Sequence, residues 1–407
     1  MPRLYDDQVP DVSSPSRRPA DDRCPGALRA HQAADGALVR VRIPGGRITS
    51  AQLRCLATAA RRDGDGTLEL TSRGNVQVRG ITDPDGVDRI ATALAGVGLL
   101  PSATHERVRN IVASPLSGLD DTGHADVRPL VGAVDAALCA AADLAGLSGR
   151  FLIALDDGRG DVTGLGADLC WTAGTGALLV DGRDVGLRVT TDVPAALVTA
   201  ARVFLRLCAG RTGLWRIADL PDAPDAITAE LGGPHAPPVE PPHGAPPPVG
   251  VHPGGFVVVA APLGRLTADQ ADTLAAVADG SDLVVTPWRT VVVGSAEPTT
   301  VSTLAAARLV VDPASPWVGV TSCTGRPGCE KALADVRADA AAALAAAGPR
   351  SSEALPLHWA GCDRCCGRPT GPVALAVATG SGYRVAGPAG EQHGPLGVRL
   401  AQARGAQ

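Results

Sequence analysis

At 407 residues the chain is longer than a usual single domain, and 45% apolar residues supply enough surface for two or three cores. A net charge of −5 gives no overall attraction to nucleic acid or to anionic membranes, so no partner of either kind is expected and a polyanionic ligand must be met by local arginines. No run reaches the roughly 18 apolar residues of a membrane helix, so a soluble, cytoplasmic protein is expected, and ten cysteines in a reducing compartment are buried thiols or metal ligands before they are disulfides.

Residues 1–22 are polar and Pro-rich without an apolar export segment, which predicts a disordered lead-in. From Leu38, "LVRVRIPGGRITSAQLRCLATAA" predicts a strand, a Gly-rich turn and a helix capped by Thr49, and "LELTSRGNVQVRG" from Leu68 predicts two further strands. "FLIALDDGRGDV" from Phe151 and "GALLVDGRDVGLRVTTD" from Gly176 add strands with Gly/Asp turns, followed by a helix in "VPAALVTAARVFLRLCAG". Gly232 to Gly250, "GGPHAPPVEPPHGAPPPVG", is a stiff, extended interdomain linker that cannot join a core.

Beyond it the first pattern returns. "FVVVAAPLGRLTADQADTLAAVA" from Phe256 matches Pro44 with Pro262, Gly46 with Gly264, Thr49 with Thr267 and Gln52 with Gln270 at one constant offset, and "LVVTPWRTVVVG" mirrors the strand pair. Duplication of one α+β unit is the simplest account. The final "VALAVATGSGYRVAGP" is strand-like and repeats the theme of the middle segment on the other side.

Strand periodicity places Arg73, Asn75, Gln77 and Arg79 on one face, opposite Val76 and Val78. A solvated edge strand would look similar, yet the second copy has Trp288, Thr290 and Val292 at the first three positions, so the first half carries a function that the second has shed. Arg40 and Arg42 add a second cationic face, and "HERVRNIVASP" contributes Arg107 and Arg109. Converging guanidiniums suit a ligand with many carboxylates, because they stay charged and pair bidentately.

Cys24, Cys55, Cys139, Cys170 and Cys208 stand singly among apolar neighbours, as small buried hydrophobes do. Five others cluster in "TSCTGRPGCEKALADV" and "GCDRCCGRP". Three readings are open: a zinc site on Cys323, Cys329, Cys362 and Cys365, stabilising a non-catalytic binding module; inert thiols; or an iron–sulfur cluster on Cys323, Cys329, Cys362 and Cys366.

C-x5-C followed by G-C-x3-C-x2-P resembles the cluster motif of the sirohaem-dependent nitrite and sulfite reductase family. "VRIPGGRIT" and "TSRGNVQVRG" are similar to that family's half-domain signatures, and "RNIVASP" to a segment bearing an active-site arginine. The resemblance implies an α+β fold of two pseudo-twofold-related ferredoxin-like half-domains with two α/β domains, the second carrying a 4Fe–4S cluster. Its implied divisions are a first half-domain at 23–100, a tetrapyrrole-binding α/β domain at 101–225, a linker at 226–252, a second half-domain at 253–310 and a cluster domain at 311–407.

It further implies Cys323, Cys329, Cys362 and Cys366 as cluster ligands, Cys366 also as the bridge to a tetrapyrrole iron, and Cys365 as a bystander. Arg73 and Arg109 match family residues that hold the tetrapyrrole or its anion, with Asn75, Gln77, Arg79 and Arg150 on the same face. Where sulfite reductases carry a Lys-x-Lys pair, "SGRFLIALD" has Arg150 and then Leu152, a lost cation that is awkward for reducing a small anion. The opening "CPGALRAHQAADGALVRVRIPGGRIT" and the Trp-Arg of "TPWRTVVV" instead resemble a branch of aerobic cobalamin biosynthesis in which the tetrapyrrole, precorrin-3A, is the substrate and dioxygen the oxidant. That branch implies an electron donor such as NAD(P)H acting through a reductase or ferredoxin. Sirohaem or an additional iron is the second cofactor the family allows.

Overall fold

The computed structural model describes residues 22–278 and 280–405, so all but the last residue of the expected lead-in lies outside the described residues. Four five-stranded sheets form two related pairs. In the first, His31–Ala33, Gly36–Val41, Val76–Ile81, Thr67–Leu70 and Arg265–Thr267 lie side by side; in the second the order is Gly250–Val251, Val257–Ala260, Thr290–Val293, Leu283–Val285 and Arg47–Ile48. All neighbours in both are antiparallel.

The last strand of each sheet comes from the other half of the chain. Arg265 sits opposite Glu69 in the first sheet, and Arg47 opposite Val284 in the second. Matching ion pairs hold each borrowed strand, Arg265 to Asp65 at 2.8 Å and Arg47 to Asp282. The conserved geometry of the crossing explains the matched glycines. Gly46 has φ +70°, and a Cβ there would lie 2.0 Å from the Val285 carbonyl oxygen, which is backbone and cannot yield.

The repeat extends to side chains. Helix Ser50–Asp63 begins in a capping box in which Thr49 Oγ1 accepts from Gln52 N at 3.2 Å and Gln52 Oε1 accepts from Thr49 N at 3.0 Å. Helix Ala268–Val277 repeats it with Thr267 and Gln270. Gln52 and Gln270 each also donate through Nε2 at 3.0 Å to the carbonyl that ends the next helix, Val97 and Ala307. Leu53, Leu56 and Ala60, at helical spacing, join Val39, Val78, Val259 and Val293 in one core shared by both halves.

The remaining sheets also correspond to each other. Ile111–Ala113, Ile153–Asp156 and Leu169–Thr172 run parallel, followed by antiparallel Ala177–Val180 and Arg183–Arg188. Val320–Ser322, Leu357–Ala360 and Ala374–Thr379 are likewise parallel, with Gly382–Gly387 and Gly390–Glu391 antiparallel beyond them.

Three expectations change. Helix Ala223–Leu231 crosses the 225/226 boundary. The Pro-rich segment is extended but not detached: its backbone bonds to Arg188 N, Gly186 O, Thr163 Oγ1 and Gly160 O, and Val249 is buried against Ala260 and Val310. Proline removes ladder donors, yet the remaining carbonyls and N–H groups suffice to tie an extended chain to a neighbouring surface. Of the five single cysteines only Cys170 is fully buried, and all are free thiols.

The loop Asp156–Asp161 buries three carboxylates. Asp156 accepts from Gly158 N and Gly160 N, and Asp157 pairs with Arg159, whereas Asp161 has only Ser114 Oγ at 2.7 Å and leaves Oδ2 without a partner. Burial, reinforced by Asp156, pushes Asp161 up to about 7. Folded protein therefore holds a proton that the unfolded chain releases between about pH 4 and 7, and stability falls as pH rises through that window. Asp161→Asn should flatten the dependence of the melting temperature on pH between 4 and 7 and stabilise the protein at pH 8, on the order of a few kcal/mol.

Candidate functional site

A cavity of about 530 Å³ lies where the first half-domain, the borrowed strand and the last sheet meet. The first sheet builds one wall through a cross-strand row: Arg40 pairs with Gln77, and Gln77 with Glu69. Gln77 Oε1 accepts from Arg40 Nε at 2.8 Å, and Gln77 Nε2 donates to Glu69 Oε2 at 3.0 Å. The equivalent row in the second sheet is Val258, Val292 and Val284, packed under Leu116 and Phe256. One face opens onto a cavity, and its counterpart is filled.

Arg79 also lines the cavity. It pairs with Asp35 at 3.0 Å and donates to the Gly328 carbonyl at 3.2 Å, tying the first half-domain to the cysteine loop. Arg289, in the left-handed region at φ +59°, makes a second tie by donating to Leu70 O and Gly367 O. Arg150 reaches the rim with its guanidinium 4.0 Å from the centre of the Trp215 ring.

A second cavity of about 630 Å³ adjoins the first through Ser72 and Arg289. Arg73, Trp288, Arg368 and the prolines at 246–248 line it. Arg73 has no ion-pair partner among the described residues; burial and the nearby Arg216 lower its pKa to about 10, so it remains a cation, and the acid near it, Asp168, is paired with Arg216.

Two expected residues face elsewhere. Arg109 is 4% exposed and grips Asp135 of helix Arg128–Ala140 bidentately at 2.7 and 2.6 Å, with a further bond to Leu99 O, and lines neither cavity. Asn75 is 2% exposed, accepts from Ile43 N and donates to Asn110, bracing the strand against the first α/β domain. Arg42 is likewise absorbed, donating to the Arg107 and Pro25 carbonyls, and burial lowers it to about 9. In each case the side chain found its partners in another segment of the chain.

Conversely, Arg265, Arg289 and Arg337 line the first cavity although strand periodicity in the first half could not mark them. The signal available was positional. Arg265 follows the crossing glycine, Arg289 is the Arg of "TPWRT", and Arg337 opens the helix after the first cysteine loop.

The cysteine loops follow adjacent parallel strands, Val320–Ser322 and Leu357–Ala360, so both emerge at one edge of the last sheet. Cys323 and Cys366 line the cavity. Burial raises both thiols, and neighbouring thiols raise them further: Cys366 and Cys329 act on Cys323, and Cys362 and Cys329 act on Cys366. Cys365 is also raised by burial, its neighbours are Arg368, Arg384, Asp363 and Cys362, and its backbone is left-handed at φ +45°. Cys323 Sγ accepts a hydrogen bond from Gly361 N at 3.1 Å.

Among the described residues no three His, Cys, Asp or Glu side chains converge as a closed metal site. The donor set nonetheless fits a thiolate-bound cluster. Cys323 and Cys366 have other thiols for neighbours, so thiolate charge placed there would be relieved by iron, and the Gly361 N–H already donates to Cys323 Sγ.

Residues 30–95 match the nitrite/sulfite reductase ferredoxin-like half domain. The chain is a homologue of a precorrin-3B synthase from Sinorhizobium sp, 27% identical over 88% of this chain and 81% of that protein. It is equally close to the ferredoxin–nitrite reductase of Synechococcus elongatus, 29% identical over 82% and 74% of the two chains. The NirA protein of Mycobacterium tuberculosis shares the fold, with a TM-score of 0.67 at 21% identity over 86% and 74% of the chains. These homologues are oxidoreductases. No helix among the described residues is long and apolar enough to cross a membrane.

Proposed function

We propose that the chain is a precorrin-3B synthase-type monooxygenase. It would bind precorrin-3A in the arginine-lined cavities, hydroxylate a macrocycle carbon with one atom of dioxygen while two electrons and two protons reduce the other to water, and close a ring-acetate lactone. The observation that carries this reading is at the position of the missing second cation. Leu152 is 2% exposed and packs with Val112, Ala154 and Val162, so no charge can be presented there to a small anion.

Arg73, Gln77, Arg79 and Arg150 would anchor substrate carboxylates, while Asn75 and Arg109 hold the walls in place. A 4Fe–4S cluster on Cys323, Cys329, Cys362 and Cys366 would pass single electrons to the cavity. The electron donor would be NAD(P)H acting through a reductase, or ferredoxin, and the setting the cytoplasm.

The second reading, a sirohaem-dependent nitrite or sulfite reductase, is supported by the ferredoxin–nitrite reductase homologue. Anaerobically purified protein given precorrin-3A, a reductant and oxygen should yield a product heavier by one oxygen atom, with label from ¹⁸O₂. A sirohaem absorption band with nitrite or sulfite reduction would overturn the proposal.

A further inference from the structure

The described residues lining the first cavity include a single carboxylate, Glu69, among seven arginines. Its surroundings differ from those of an ordinary structural ion pair. Glu69 Oε1 meets Arg337 Nη2 closely, and Arg79 Nε and Arg265 Nε each stand 3.8 Å away. Three parts of the chain thus converge on one oxygen: the first half-domain, the borrowed strand and the helix after the first cysteine loop.

The three cations are not equally committed. Arg79 also has Asp35 at 3.0 Å, and Arg265 also has Asp65 at 2.8 Å. Arg337 has no second acid among the described residues. The Nε–H donors of Arg265 and Arg337 are both buried without a hydrogen-bond partner, since 3.8 Å is too long for one. Buried unsatisfied donors are costly and uncommon, and two side by side beside a cavity point to an absent acceptor.

The geometry points to Arg265 and Arg337 as a carboxylate-binding subsite that Glu69 occupies in the ligand's place. A carboxylate of an incoming polycarboxylate macrocycle would accept from both orphaned Nε–H groups and draw Arg337 from Glu69. Arg79 and Arg265 keep their other acids during the exchange, so Arg337 is the group whose partner changes. It is also the second residue of helix Val336–Ala345, whose N-terminus Asp335 caps through Arg337 N and Ala338 N, directly after the loop bearing Cys323 and Cys329. Ligand arrival is thereby coupled to that loop. The inference rests on reading the cavity as a site for a polycarboxylate macrocycle.

The test is a titration of anaerobically purified full-length protein with two probes. One is uroporphyrin I, a macrocycle with eight carboxylates, followed by its absorption and fluorescence. The other is benzenehexacarboxylate, which has the charges without the macrocycle, followed by calorimetry. Glu69→Gln should tighten both about ten-fold by removing the internal competitor, and Arg337→Gln should weaken both about ten-fold. In the double variant the effect of Glu69→Gln should vanish, because the group competed for is gone.

If Glu69→Gln leaves both affinities unchanged or weakens them, the subsite inference falls while the binding of uroporphyrin keeps the functional reading. If benzenehexacarboxylate shows the expected pattern and no form binds uroporphyrin, the functional reading falls and the subsite stands. Binding of neither probe to any form overturns both. Should Glu69→Gln not fold, Glu69→Asp keeps the charge but withdraws it by one methylene, and is expected to tighten both probes to a smaller degree; no change with Glu69→Asp overturns the inference.

Discussion

Cys366→Ala should yield protein without acid-labile sulfide and without the broad visible absorption of an iron–sulfur cluster, whereas Cys365→Ala should retain both. The two residues are adjacent and both thiols are raised by burial, so composition alone does not separate them. What separates them is position. Cys362 acts on both, but Cys366 lines the cavity with Cys323 and also has Cys329 for a neighbour, whereas Cys365 lines neither cavity and stands among Arg368, Arg384 and Asp363 on a left-handed backbone. Iron and sulfide analysis after anaerobic purification checks the result. Retention of a full cluster in Cys366→Ala, or its loss in Cys365→Ala, would show that the ligand register is shifted by one.

Asp135→Ala lowers folding stability by about 3–5 kcal/mol, because it strands the Arg109 guanidinium as a buried, unpaired charge. The pair is closed at 2.6 Å with side chains only 5% and 18% exposed, so little solvent screens it. The effect should appear as a drop of roughly 10 °C in the unfolding transition of the α/β domain that contains it, measured calorimetrically. Replacing both partners by apolar residues, as Arg109→Met with Asp135→Leu, should recover most of the loss, since the cost lies in the orphaned charge and not in the absence of the pair. Were Asp135→Ala to leave stability unchanged while ligand binding weakened, Arg109 would be a ligand group after all.

Much of the architecture was legible because the physics behind it is local. Thr49 and Thr267 cap helices where the Thr-x-x-Gln spacing announces a capping box, and the alternation in "NVQVRG" places Gln77 and Arg79 toward the cavity. The exchange of strands was not legible. Arg47–Ile48 and Arg265–Thr267 are short, and nothing in two or three residues states which sheet they will join.

The misplacement of Arg109 has a definite cause. Whether an arginine serves a ligand or the scaffold depends on whether an acid from elsewhere reaches it first, as Asp135 reaches Arg109 from 26 positions away. Arg73, with the same residue type, forms no ion pair among the described residues, because the acid near it, Asp168, is taken by Arg216. The cavity's far wall was hidden for the complementary reason: Arg265, Arg289 and Arg337 come from three separate segments and become neighbours only through the duplicated fold.

The borrowed strands bear on how such a protein could diverge after duplication. Each half completes its sheet only with a strand from its sibling, so the copies are one folding unit and selection on either frame preserves both. Once joined in this way, the second copy could surrender the polar row that its twin keeps, trading it for Val258, Val292 and Val284, without losing its place in the molecule. Interdependence of the frames is what left their inner surfaces free to become unlike.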